Sequence, residues 1–258
     1  MERSKRAITW WRVLAVPGPL GWTAIGVVLL WQGIITLGRL ETIVMPSPLL
    51  VATDLFAHPG AYLPDALSTV QVALLGLCFG MALGTLAAVF TASSSILSGL
   101  VTPAALVMRS VPVVAMIPVI ARVLGYNERS LVAIATIIAF FPSFVLVGSG
   151  LRHLPPGAGD VFAVLGARPW TRLWRLALPS AVPNLLVALR LSAHLCVLGA
   201  VAAEYLMGTR GLGKLLVQSR ADGIPERSWG VAVLATALSV TAFLCATRFE
   251  RWGRERWT

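Results

Sequence analysis

The chain has 258 residues, of which 57% are hydrophobic and only 12% are charged, and its formal net charge is +10 at pH 7. A soluble domain carries about twice that share of charged residues, so the composition excludes an ordinary soluble protein and indicates a membrane protein. The positive charge does not indicate a nucleic-acid partner, because the sequence has no basic tract of five to eight residues.

Apolar stretches of roughly 20 residues recur along the chain, and each has the length of a transmembrane helix. They are apolar on all faces, whereas the helices of a soluble protein keep a polar face toward water. The sequence therefore predicts an all-α, polytopic membrane protein with a single domain (1–258). Its six predicted spans are 19–38, 65–92, 97–121, 130–150, 180–207 and 229–248.

The first apolar stretch follows a basic N-terminal segment. It is long for the core of a signal peptide and lacks a clear cleavage site, so we expect it to be retained as the first span. The segment MPSPLLVATDLFAHPG comes next, in which Ser47 can cap a helix and Pro48 suits its first turn. This pattern predicts a short helix near the membrane surface.

The third predicted span contains Pro112 and Pro118, which break its regular backbone hydrogen bonding. Carbonyl groups freed at membrane depth are tolerated where they are buried or line a cavity. We therefore expect the third span to line the pathway of a transported solute, alongside the fifth span.

Three charged residues fall in or near predicted spans: Arg109, Arg190 and Glu204. Charges at membrane depth are costly and face protein or water. Arg190 can extend toward the cytoplasm. Arg109 and Glu204 either form a structural ion pair or line a pathway for an anion, and the sequence leaves both readings open.

The segment DVFAVLGARPWTRLWRLALPS lies between the fourth and fifth spans, in the loop 151–179. Asp160 can cap a short helix that Gly166 ends. That helix would present four apolar residues that need a partner to bury them. They are Val161, Phe162, Val164 and Leu165.

The second part of this segment is amphipathic. Trp170, Leu173, Trp174 and Ala177 share one helical face, and Arg168, Arg172 and Arg175 share another. Tryptophans at headgroup depth with arginines near the phosphates predict an interfacial helix.

The distribution of Lys and Arg gives the orientation, because cytoplasmic segments of membrane proteins carry the excess. With both termini inside, 12 cations and four acids face the cytoplasm, whereas seven cations and six acids face outside. The cytoplasmic cations are Arg3, Lys5, Arg6, Arg12, Arg152, Arg168, Arg172, Arg175, Arg248, Arg251, Arg254 and Arg256, and the acids are Glu2, Asp160, Glu250 and Glu255.

The sequence contains no recognisable motif for enzymatic chemistry. The stretch GTRGLGKLL (208–216) lacks the Ser or Thr that follows the lysine of a phosphate-binding loop. The three histidines lie far apart, and neither a zinc-protease nor a serine-hydrolase motif is present. We predict no catalytic, cofactor or metal site on this chain, and we expect His194 to be packed and hydrogen-bonded.

The segment after the fourth span resembles the EAA loop of ABC importer permeases. That loop reads Glu-Ala-Ala, three residues, Gly, nine residues, an aliphatic residue, one residue and Leu-Pro. Here Asp160-Val161-Phe162 is followed by Gly166, Leu176 and Leu178-Pro179, so the spacing fits while the leading triplet departs. Three further stretches are similar to motifs of the nitrate, sulfonate, taurine and bicarbonate branch: 45–48, 108–128 and 199–216.

This resemblance implies a type I importer permease fold in the bacterial inner membrane. It also implies a second permease copy, two cytoplasmic ATPase subunits that bind ATP and Mg, and an external solute-binding protein. The residues of the EAA loop, with Leu178 and Pro179, would form the coupling helix that docks on the ATPase.

The transported solute is left open, although a small anion such as a sulfonate, taurine, nitrate or a carboxylate is favoured. A secondary transporter without an ATPase, which could use His194 as a proton relay, and a membrane scaffold are the competing hypotheses.

Overall fold

The computed structural model describes residues 19–93 and 112–257, with residues 96, 99 and 103 between these ranges. The described residues form ten α-helices and no strand, which confirms the predicted all-α class. The helices are α1 (Pro19–Gly38), α2 (Pro48–Ala57), α3 (Pro59–Ala92), α4 (Val113–Leu124), α5 (Glu128–Arg152), α6 (Ala158–Val164), α7 (Pro169–Arg172), α8 (Leu178–Met207), α9 (Leu212–Ala221) and α10 (Pro225–Trp257).

Five helices in this part of the chain are long and apolar enough to cross a membrane. They are α1, α3, α5, the joined α7 and α8, and α10, and they match five of the six predicted spans. The first span has the predicted bounds. Helix α3 begins earlier than predicted, at Pro59, and α10 extends beyond the predicted span at both ends, where charged residues such as Glu226 and Arg254 continue the helix.

Most of the third predicted span (97–121) lies outside the described residues. Its last part is α4, which begins directly after Pro112 and ends at Leu124, where Gly125 has a positive φ of 92°. Pro118 lies inside α4, so only Pro112 coincides with a helix boundary.

The packing of α3 against α5 forms the centre of the molecule. Gly76, Gly80 and Gly84 recur every four residues on one face of α3, and a Cβ atom at any of them would overlap atoms of α5. Small residues at this spacing let two helix backbones approach closely, which is how membrane helices gain packing energy without a hydrophobic driving force.

The cytoplasmic ends of α8 and α10 are joined by an ion pair. Nη1 of Arg190 lies 3.0 Å from Oε2 of Glu250, and Arg254 contacts the other carboxylate oxygen at 3.0 Å. Arg190, which the sequence predicts to extend toward the cytoplasm, is thus paired with Glu250, which is buried beside it and supplies the counter-charge.

The surface helix α2 begins where the sequence predicted. The Oγ atom of Ser47 accepts a hydrogen bond from the backbone N–H of Leu50 at 3.3 Å. Asp54 joins α2 to α3 and α10, because the Tyr62 hydroxyl donates to it at 2.6 Å and the Arg227 guanidinium at 3.2 Å. Burial raises the pKa of Asp54, but these hydrogen bonds outweigh it and hold the pKa below its ordinary value.

Candidate functional site

The short helix α6 lies in the cytoplasmic loop after α5. It follows Pro155 and Pro156, and its N-cap is Gly157, which has a positive φ of 76°. Asp160 lies in the first turn and is exposed, so the prediction that it caps the helix is wrong. The left-handed backbone of Gly157 starts the helix before Asp160 is reached.

The end of α6 is the one predicted. Gly166 has a positive φ of 63°, which a glycine adopts without steric cost. Its N–H donates to the carbonyl of Ala163, and the N–H of Ala167 donates to the carbonyl of Phe162, each at 3.0 Å. This pair of bonds is a Schellman motif, which satisfies the last carbonyls of a helix.

The apolar residues of α6 divide into two faces. Val161, Val164 and Leu165 are 56%, 88% and 74% exposed, with no described residue covering them. Phe162 is instead half-buried and lines a cavity against the membrane helices. Only the first three form a surface that a partner could bury.

The sequence predicted a separate interfacial helix over residues 169–177, and this prediction is wrong. They continue into α8 as one helix of 39 residues, Pro169–Met207, so the loop ends about ten residues earlier than expected. Residues Leu173–Ala177 form a π-turn in which Leu178 donates to the carbonyl of Leu173. The wider turn falls directly before Pro179, which has no N–H to donate.

The polar and aromatic residues of this stretch are accessible from the cytoplasmic side. Trp170 and Trp174 are exposed and pack edge to face, with ring centroids 5.7 Å apart. Arg168 precedes the helix, and Arg172 and Arg175 are exposed on it. Leu178 and Pro179 are half-buried at the start of α8.

At the outer end of α8, Glu204 is fully buried. Its Oε2 atom accepts hydrogen bonds from the Thr69 hydroxyl at 2.8 Å and from the N–H of Gly213 at 3.1 Å. Thr69 also accepts from the N–H of Leu212 at 2.9 Å, and Asp65 accepts from that of Gly211 at 3.0 Å. Side chains of α3 and α8 thus cap the first turn of α9.

The turn between α8 and α9 lies in the stretch GTRGLGKLL. Gly208 ends α8 with a positive φ of 66°, and Gly211 has a φ of 91°. Arg210, between them, contacts Ser68 at 2.7 Å and Glu128 at 2.9 Å. The sequence analysis missed Asp65 and Thr69, although two polar residues four apart at the start of an apolar span could have indicated them.

The possible partner of Glu204, Arg109, lies outside the described residues. Neither the ion pair nor the anion pathway proposed for these two residues is therefore tested. A cavity of about 460 Å³ does lie between α4, α5 and α8, which are parts of the third, fourth and fifth spans. His194 lines it, with its ring edge to face with Phe243 and Nδ1 3.3 Å from the Arg190 carbonyl oxygen.

Comparison with known proteins identifies the class to which this arrangement belongs. Residues 80–256 match the family described as the binding-protein-dependent transport system inner membrane component. Over 220 residues the chain is 29% identical to a probable ABC transporter permease protein of Haemophilus influenzae, covering 85% of this chain and 90% of the relative.

Two further relatives are named for a solute. A putative aliphatic sulfonates transport permease of Bacillus subtilis is 27% identical, covering 75% of this chain and 71% of the relative. A formylaminopyrimidine transport permease of Halalkalibacterium halodurans is 28% identical, covering 66% and 68%.

The fold is also that of solved importers. A chain of the MetNI methionine ABC transporter, in an inward-facing conformation, superposes with a TM-score of 0.63 at 21% identity, covering 72% of this chain and 93% of that chain. The protein belongs to the binding-protein-dependent transport system inner membrane component family. It is an inner-membrane permease component of an ABC importer for a small solute, and its family implies an ATPase and a solute-binding protein as partners.

Proposed function

We propose that this chain conducts a small anionic solute inward by alternating access, driven by a separate ATPase that docks on α6 and binds ATP and Mg. The observation that carries the proposal is the exposed apolar face of α6, formed by Val161, Val164 and Leu165. Three large apolar side chains on a seven-residue cytoplasmic helix indicate a protein partner, because exposed apolar patches mark interaction sites.

The solute path would lie between two copies of the permease. The cavity beside α4, α5 and α8 supports a path along the third and fifth spans. The relative named for aliphatic sulfonates supports an anion as the solute, while another relative is named for formylaminopyrimidine.

The test introduces the same negative charge on the apolar face of α6 and, as a control, at a nearby site outside that face. Val164→Asp should prevent co-purification of the partner ABC ATPase, because burying an unpaired carboxylate in an apolar groove costs several kcal/mol, on the order of a thousandfold in affinity. Thr171→Asp, which adds the same charge in α7 outside both the apolar face of α6 and the lining of the neighbouring cavity, is the matched control and should retain the ATPase.

Uptake of radiolabelled ethanesulfonate into proteoliposomes is the second readout. Val164→Asp should abolish uptake and transport-stimulated ATP hydrolysis together. Unchanged ATPase binding in Val164→Asp would refute docking on α6. Uptake that persists without ATPase or ATP would instead indicate a secondary transporter.

A further inference from the structure

A second cavity lies at the cytoplasmic membrane surface, on the side of α6 opposite to its exposed apolar face. It has a volume of about 620 Å³ and lies between the ends of α3 and α5 and the start of α7. Leu151, Phe162 and Leu173 are among the apolar residues that line it, and Arg152, Arg172 and Trp170 line it too. Its walls therefore combine apolar surface with two positive charges.

The side chain of Arg152 folds back along α5 rather than extending past the end of the helix. Its Nε donates to the carbonyl oxygen of Gly148, one helical turn deeper in α5, at 3.1 Å. The guanidinium therefore packs along the backbone at Gly148, where a Cβ atom would be in ordinary contact with Nη2 of Arg152 at 3.5 Å. An arginine at a helix end ordinarily extends its head group into water, so this conformation places the charge at the depth of the lipid headgroups.

Arg172 reaches from α7 to α6. Its Nη2 lies 3.1 Å from where a Cβ atom of Gly159 would stand, so the guanidinium packs on the backbone of that glycine. Within the ranges 19–93 and 112–257, neither Arg152 nor Arg172 lies within 4.0 Å of a carboxylate. The two charges of the cavity are thus not neutralised by the described part of the protein.

We propose that this cavity binds an anionic phospholipid, with its phosphate between Arg152 and Arg172 and its acyl chains against Leu151, Leu173 and Phe162. Basic pockets between membrane helices on the cytoplasmic side bind anionic headgroups. The tryptophan at the mouth, Trp170, is a residue type that favours headgroup depth. An inorganic anion would match the arginines but leave the apolar wall uncovered.

Two other occupants fit the cavity less well. The N-terminal segment 1–18 carries four cations and one acid, so its charge has the same sign as the cavity. The ATPase proposed above would dock on Val161, Val164 and Leu165, which lie on another face of α6. The lipid site goes beyond the proposed transport function, and it can be tested without the ATPase.

A bound lipid would hold α6 in place. Its headgroup would contact Arg152 of α5 and Arg172 of α7, and through Arg172 the backbone of α6 at Gly159. A lipid in this position acts as a spacer between the cytoplasmic segment and the membrane helices.

The experiment measures phosphatidylglycerol binding to the full-length permease by native mass spectrometry, with phosphatidylcholine as the uncharged comparison. Arg152→Gln with Arg172→Gln should weaken phosphatidylglycerol binding about 30-fold, which is about 2 kcal/mol at 1.4 kcal/mol per tenfold for two arginines near an anionic headgroup. Arg168→Gln with Arg175→Gln is the control, since it removes the same charge from the same segment outside the cavity lining.

Each other outcome overturns the proposal. Equal losses in both double variants would mean diffuse attraction to the basic surface. Displacement of the lipid by 10-fold excess inorganic phosphate, or equal retention of phosphatidylcholine, would mean that the cavity does not recognise an anionic lipid. If lipid binding is unchanged and only ATPase co-purification falls, the arginines belong to the ATPase interface.

Discussion

The buried carboxylate of Glu204 receives hydrogen bonds but no described counter-charge. Thr69 is the central residue here, because its hydroxyl donates to Glu204 and accepts from the N–H of Leu212. One side chain therefore connects α3, α8 and the start of α9. The turn at the outer surface is therefore held by these hydrogen bonds together with the apolar packing of Leu212 and Leu215.

Thr69→Val should destabilise the permease by about 1–3 kcal/mol, because it leaves the Leu212 N–H buried without a partner and removes a donor to Glu204. Chemical unfolding in mixed micelles measures this. Thr91→Val is the control: Thr91 is also buried on α3, but its hydroxyl bonds only carbonyls of its own helix at Ala87 and Ala88. Equal losses in the two variants would contradict a special role for Thr69.

Single residues were predictable where the chemistry is local. Ser47 and Gly166 act within one helical turn, and the structure places both at the helix ends that the sequence predicted. Asp160 was misplaced, since the conformation of Gly157 starts the helix earlier. The partner of Arg190 could not be predicted, because Glu250 lies 60 residues away in sequence and meets it only through the packing of α8 on α10.

At the scale of elements, the α6 segment is held by its two ends. Pro155, Pro156 and Gly157 precede it and the Schellman motif at Gly166 closes it, so its three exposed apolar residues are presented on one short, defined helix. The sequence analysis predicted this helix and its end. It wrongly placed the following amphipathic stretch in a helix separate from the fifth span. Periodicity describes the faces of a helix and carries little information on where one helix ends and the next begins.

Gly166→Ala should open the end of α6, because an alanine in the left-handed region costs about 1–2 kcal/mol. Amide exchange of residues 163–167 should then be about 5–30 times faster. Gly60→Ala is the control, since both sites have open space for a Cβ but only Gly166 has a positive φ. Unchanged exchange near Gly166 would show that the Schellman motif does not hold this end.

At the scale of the whole molecule, the topology follows from charge and length. The spans outside the third were located by their apolar cores, because 20 apolar residues match the thickness of a bilayer, but the helices of the second, fifth and sixth spans extend beyond the predicted bounds. The arrangement of the spans around α3 and α5 depends on the glycines of α3. These recur every four residues, a pattern that the sequence analysis did not use.

The orientation predicts opposite labelling of two sites. Both are tested in a background without Cys78, Cys196 and Cys245. Thr171→Cys should react with a membrane-impermeant maleimide only in inside-out vesicles, and Thr53→Cys only in spheroplasts. The physical reason is the excess of 12 cytoplasmic cations over seven outer ones. Labelling of both sites from one side would refute the orientation.

The joined helix Pro169–Met207 has 39 residues, and at 1.5 Å per residue it is a rod of about 58 Å. A bilayer with its headgroups is about 40–45 Å thick, so one end of the rod stands clear of the membrane. A tilt of about 10° displaces one end of such a rod relative to the other by about 10 Å, the width of a helix. If the helix moves as a rigid unit, a rotation of this size about Glu204 would displace Pro169 by about the width of a helix, so that a small motion at the outer surface would be amplified at the other end.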